Sequence, residues 1–240
     1  MVQTLDVKVN EAWSDALNSW NFPSVPYVIA PQTLEEVRAM GKIGKALEGE
    51  FAFMKYPEFQ TYMNLERIVQ KFSTDPQRAT KAIARHEVGH RFCPYDIVTL
   101  IILNHAMTKA LETQKLPYDA KAAAQNIMNL FTDTCINTRI VQRGDEDISW
   151  VYQELSKDKK DSKLWRVYAR SMELIWEKNI LPEKTKLSPE EKAGAQELAE
   201  LFANDYFKRD KWKDNGAQYA QIISKFLENE EKDGDSGLDN

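Results

Sequence analysis

His86 and His90 stand four residues apart, and Glu87 follows the first of them. On a helix that spacing is one turn, so both imidazoles point to the same side. Two neutral ring nitrogens placed this way can reach one zinc ion at roughly 2.0–2.1 Å. Glu87 then faces a water on the ion rather than the ion itself. A carboxylate there can take that water's proton during attack on a carbonyl and pass it to the leaving amine. Such a set breaks an amide without a covalent nucleophile. The chain has only three histidines, so a chance pairing of two is the blander alternative rather than the expected one.

A catalytic zinc takes three protein ligands and keeps one position for water. Asn126, Asn129, Asp133 and Asn137 share one helical face among Ile127, Met128, Leu130, Phe131 and Ile136. If buried, a polar stripe on an apolar helix needs partners. Asp133 facing two zinc-bound imidazoles would have them, and the asparagines could fix the ring orientation. The plainer reading is a solvated stripe on an amphipathic helix. Asp133 is the favoured third ligand, and Asn129, Cys93 and His105 remain alternatives. His105, on a mainly apolar helix, reads more readily as packed. Tyr95, Tyr118 and Tyr152 are available to steady an oxyanion.

The elements that must carry these residues can be read from their stop and start signals. Asp75-Pro76 predicts a helix from about 76 to 92, ended by Pro94. A second helix is expected over Tyr95 to Gln114. A third, from Asp119 to Arg143, stops at Gly144. Upstream, Trp13 and Trp20 fall on a short helix. Val25 to Ala30 and Glu50 to Tyr56 read as strands that could hold an extended peptide by its backbone. Thr33 to Glu36 opens a helix expected to run to Leu47, and another is expected from Gln60 to Phe72. Helices around Trp150–Ser156, Ser162–Lys178, Pro189–Phe207 and Ala217–Leu227 follow, with an aromatic set from Trp150 to Trp176 read as core. Residues 228–240 read as a disordered acidic tail.

Composition narrows the class. A 42% apolar and 29% charged chain of 240 residues is that of a packed globular protein. A net charge of −5 without a basic block argues against nucleic-acid binding. No secretion signal is read at the N-terminus, and no apolar run is long enough to span a bilayer. Two cysteines, Cys93 and Cys135, suit a reducing compartment, so a cytoplasmic location is expected.

The His86-Glu87-x-x-His90 helix followed by a helix bearing an acid resembles the zincin superfamily of metallopeptidases. With the acid some forty residues downstream, the arrangement is most similar to the gluzincins. The segment from His86 to Asn137, about a quarter of the chain, is also similar to predicted metallopeptidases with a following Cys-Pro, here Cys93-Pro94, and an Asn-x-x-x-Asp helix, here Asn129 to Asp133. In two places the chain departs from the gluzincin pattern. Asp133 and Asn137 stand where gluzincins carry a glutamate followed by Asp or Asn, and Arg91 occupies a normally uncharged position. The resemblance implies a single zincin-like domain over residues 1–227, α+β and mostly α-helical with a small N-terminal β-sheet. The implied activity is that of a zinc metalloendopeptidase acting on a peptide or protein, with His86, His90 and Asp133 on zinc and Glu87 as base. The alternative is a catalytically inactive zincin-like domain or an all-helical binding or scaffold protein.

Overall fold

Side-chain oxygens cap the N-termini of several helices of this chain. In the computed structural model, which describes residues 7–22, 27–55, 58–93, 96–114, 119–159, 161–203 and 208–227, the described residues are mostly helical and carry one two-stranded sheet. They fall into two compact units, one up to Phe92 and the other from Cys93.

The first unit contains α1 (Val9–Trp20), α2 (Leu34–Ala39), α3 (Lys42–Glu48), β1 (Ala52–Lys55), β2 (Gln60–Met63), α4 (Leu65–Lys71) and α5 (Pro76–Gly89). β1 and β2 are antiparallel, with Ala52 opposite Met63 and Lys55 opposite Gln60. Ile29 adds a parallel bridge on the other edge of β2. Val37, Leu47 and Tyr62 form a core beneath this sheet, joined by Ile29, Met40, Ile43 and Phe53.

Two expectations fail here. The helix from Leu34 to Leu47 breaks at Gly41, whose φ of 64° lies in the left-handed region. The break lets α3 fold back until Gly44 rests on the Val37 carbonyl, where a Cβ would lie 1.8 Å from the oxygen. Gln60 to Met63 is strand, not the start of a helix. Asn64 starts α4 instead, accepting from the Arg67 amide at 3.0 Å and donating to the Leu47 carbonyl at 3.1 Å. The strand expected at Glu50 to Tyr56 is present as β1, while Tyr56 and Pro57 lie outside the described residues. Val25 and Pro26 of the other expected strand also lie outside them.

The second unit contains α6 (Ile97–Glu112), α7 (Ala120–Gln142), α8 (Asp147–Ser156), α9 (Lys163–Trp176), α10 (Pro189–Ala203) and α11 (Arg209–Ile223), with a 3-10 turn at Ser224–Phe226. Asp96, Asp119 and Ser162 cap α6, α7 and α9. At the start of α10, Ser188 and Glu191 cap each other's backbone amides at 3.1 and 2.6 Å. Gly144, with φ 86°, ends the turn after α7. Phe131, Phe202 and Tyr219 meet edge to face or tilted in the core of α7, α10 and α11, with centroids 5.4 to 5.9 Å apart. No helix among the described residues is long and apolar enough to cross a membrane. The tail expected at 228–240 lies outside the described residues.

Candidate metal centre

Helix α5 is built to end at the histidines. Asp75 accepts from the Arg78 amide at 3.0 Å and Pro76 occupies the first turn, so the N-terminus is fixed thirteen residues before Gly89. At the other end the α-helix stops at Gly89, and His90 is its C-cap with φ −61°. The chain then tightens: the His90, Arg91 and Phe92 amides donate to Glu87, Val88 and Gly89 carbonyls at 3.2, 3.1 and 2.7 Å. The helix is therefore shorter than the expected 76–92, because its last turn closes three residues back rather than four.

Helix α1 clasps this end. Trp20 donates its indole N–H to the Arg85 carbonyl at 2.8 Å, one residue before His86. The Arg85 guanidinium pairs with Asp15 at 2.5 Å, and the Trp20 ring meets Phe92 at 5.6 Å. Val88 and Glu87 are buried, whereas His86 and His90 are half-buried. Arg91, the charged departure after the second histidine, has its guanidinium over the Phe59 ring at 5.0 Å.

Within this unit the structure brings the His86 and His90 Nε2 atoms to 3.2 Å, with the rings at 89°. Two nitrogens that far apart, each about 2.05 Å from one ion, would subtend about 103° at it, near the tetrahedral angle zinc prefers. The donor chemistry and spacing therefore fit zinc. The same separation also suits a ring-to-ring hydrogen bond between neutral imidazoles.

Asp133 belongs to the second unit, on α7. Of the stripe expected there, Asn129 is exposed, Asn126 and Asp133 are half-buried, and Asn137 is wholly buried. The stripe is thus neither uniformly solvated nor uniformly enclosed. Asn137 donates to the Tyr152 hydroxyl at 2.8 Å, and Tyr152 shares a 3.1 Å hydrogen bond with Tyr168. Burial pushes the Tyr152, Tyr168 and Tyr219 phenols up, and the Asp133 charge raises all three further. Burial likewise pushes the Cys93 thiol up, reinforced by its contact with Cys135 and by Asp133. The Asp133 charge is thus felt by three buried phenols and by the Cys93 thiol.

Among the tyrosines named from sequence, Tyr152 is buried and already engaged, while Tyr95 and Tyr118 lie outside the described residues. Tyr168 and Tyr219 were not singled out, because each sits on the apolar face of its helix and reads as core. The aromatic set is indeed largely core: Tyr152 packs on Trp165 at 5.8 Å and Trp176 at 5.5 Å. His105, expected to be packed, is exposed. No protein-family model, curated protein or solved structure matches the chain.

Proposed function

We propose that the chain is a zinc-dependent metallopeptidase of zincin-like architecture, with His86, His90 and Asp133 holding the ion and Glu87 as general base. The observation that carries this reading is the 3.2 Å approach of two imidazole nitrogens at the end of a capped, clasped helix. Zinc bound by these residues would supply Lewis acidity toward a peptide carbonyl and acidity to a water. The neutral nitrogens of His86 and His90 are its soft donors. The Asp133 carboxylate adds one negative charge and completes a three-residue set that leaves room for water. Glu87, one residue beyond His86, accepts the water's proton on a carboxylate oxygen and returns it to the amide nitrogen as the bond breaks. Asn137, Tyr152 and Tyr168 hold the α7 segment around Asp133 by hydrogen bonds rather than by contact with substrate.

The substrate class is a peptide or protein, and the acidic balance of the chain speaks against nucleic acid. Two cysteines are too few for a disulfide framework, which favours a reducing compartment and hence the cytoplasm. The test is zinc content of the purified protein together with cleavage of a quenched peptide library by wild type and Glu87→Gln. Zinc retained and cleavage lost in the variant is expected. Cleavage untouched by that change would refute the role of Glu87. Zinc held without any cleavage would favour the inactive zincin-like alternative.

A further inference from the structure

Helix α6 carries most of the exposed bulky aliphatic side chains among the described residues. Ile97, Val98, Ile101 and Ile102 are 51, 60, 62 and 48% exposed. Its opposite side, with Leu103, Met107 and Leu111, is buried, and Gly216 of α11 sits against Leu103 and Met107. Burial on that side explains half of an apolar helix and leaves the other half without a reason. The spacing of the exposed residues is informative. Ile97 with Ile101, and Val98 with Ile102, make two i, i+4 ridges, the form that interdigitates with another helix bearing the same ridges. Between α6 and α7 lies an open groove of about 450 Å³, walled on one side by Ile97 and Ile101 of the first ridge, floored by Leu100 and Met128 and rimmed by Asn104, His105 and Lys121. One face thus offers both ridge and groove.

We infer that this face is a two-fold interface with a second copy of the chain, α6 packing on α6 with the ridge of each copy in the groove of the other. The four side chains leave on the order of 400 Å² of apolar surface in water, the size that on a monomer marks an interaction site. Doubled by symmetry this is about 800 Å², and with the exposed rim residues His105, Lys121 and Gln125 the face approaches the roughly 1,200 Å² at which specific interfaces begin. A self-complementary patch is what two-fold pairing requires. A lipid surface is disfavoured, because α6 carries a single lysine and no arginine to meet anionic headgroups.

Sedimentation equilibrium of the full chain at 1–100 µM tests this, comparing wild type with Ile101→Glu/Ile102→Glu. A wild-type dimer is expected, weakened at least about a hundredfold in the variant, whose helical circular dichroism remains as in wild type. Because the unfolded variant would also be monomeric, a second readout is a single Ile101→Cys substitution, expected to give a covalent dimer under mild oxidation by oxidised glutathione. A wild-type monomer at 100 µM, a variant that still dimerises, or wild-type binding to anionic vesicles in place of pairing would overturn the inference. None of these outcomes bears on zinc binding or peptide cleavage.

Discussion

Replacing His90 by alanine removes one of the two nitrogens that meet at 3.2 Å. Four-ligand zinc sites are worth about 10–16 kcal/mol, so one ligand carries about 3–4 kcal/mol, or about 10²–10³ in dissociation constant. At a zinc concentration a hundred times the wild-type dissociation constant, the ion stabilises the folded chain by about 2.7 kcal/mol. For a chain of this length that raises the melting temperature by roughly 5–10 °C. The same zinc concentration is then between about 0.1 and 1 times the variant's constant, which leaves about 0.4 kcal/mol or less and a shift near 1 °C. Differential scanning fluorimetry with and without zinc, after chelator treatment, reads the difference. If the 3.2 Å contact is only a hydrogen bond between rings, the variant loses about 1 kcal/mol with or without zinc. Equal melting shifts on adding zinc to wild type and variant would refute the metal reading.

Asp133→Ala is expected to weaken zinc by a similar factor in a chelator competition, and an unchanged affinity would remove Asp133 from the ligand set. Gly44→Ala sets a Cβ against the Val37 carbonyl, which must retreat by about 1.6 Å to reach an ordinary contact. That overpacking costs about 3 kcal/mol against roughly 1 kcal/mol gained in helix propensity, so urea denaturation should show a net loss near 2 kcal/mol. Tyr152→Phe leaves the buried Asn137 amide without its 2.8 Å acceptor and should cost about 1–3 kcal/mol in the same assay. Tyr152, Tyr168, Tyr219 and Cys93 have folded-state pKa values above their ordinary ones. Their contribution is therefore complete below about pH 8.5 and is lost as pH rises past the ordinary thiol and phenol ranges, where only the unfolded chain sheds these protons. The free energy of unfolding should fall steeply above about pH 10, by roughly 1.4 kcal/mol per pH unit for each group, and a melting temperature that stays flat there would contradict the burial.

The helices that present the histidines and the acid were legible because local chemistry marks their ends. Asp75-Pro76 and Asp119 cap α5 and α7, and Gly144 closes the second. What escaped depends on partners distant in sequence. Gln60 to Met63 is too short for a period to show, and it becomes strand only by pairing with Ala52 to Lys55. Gly41 reads as one tolerable glycine in a helical pattern, and only the return of α3 onto Val37 turns it into a break. On α6 the apolar composition announced a packed helix, yet composition is silent on which side neighbours occupy. The pairing of His86 with His90 was legible from spacing alone, whereas the tyrosines grouped near Asp133 come from α8, α9 and α11 and share no local signal.

The indole of Trp20 reaches the carbonyl just ahead of His86, so the opening helix is a brace for residues more than sixty positions away. Anyone trimming or tagging this protein for expression or crystal growth should treat Val9–Trp20 as part of the histidine helix. A shortened version that dissolves well but takes up little zinc would be reporting a missing strut rather than a wrong set of donors.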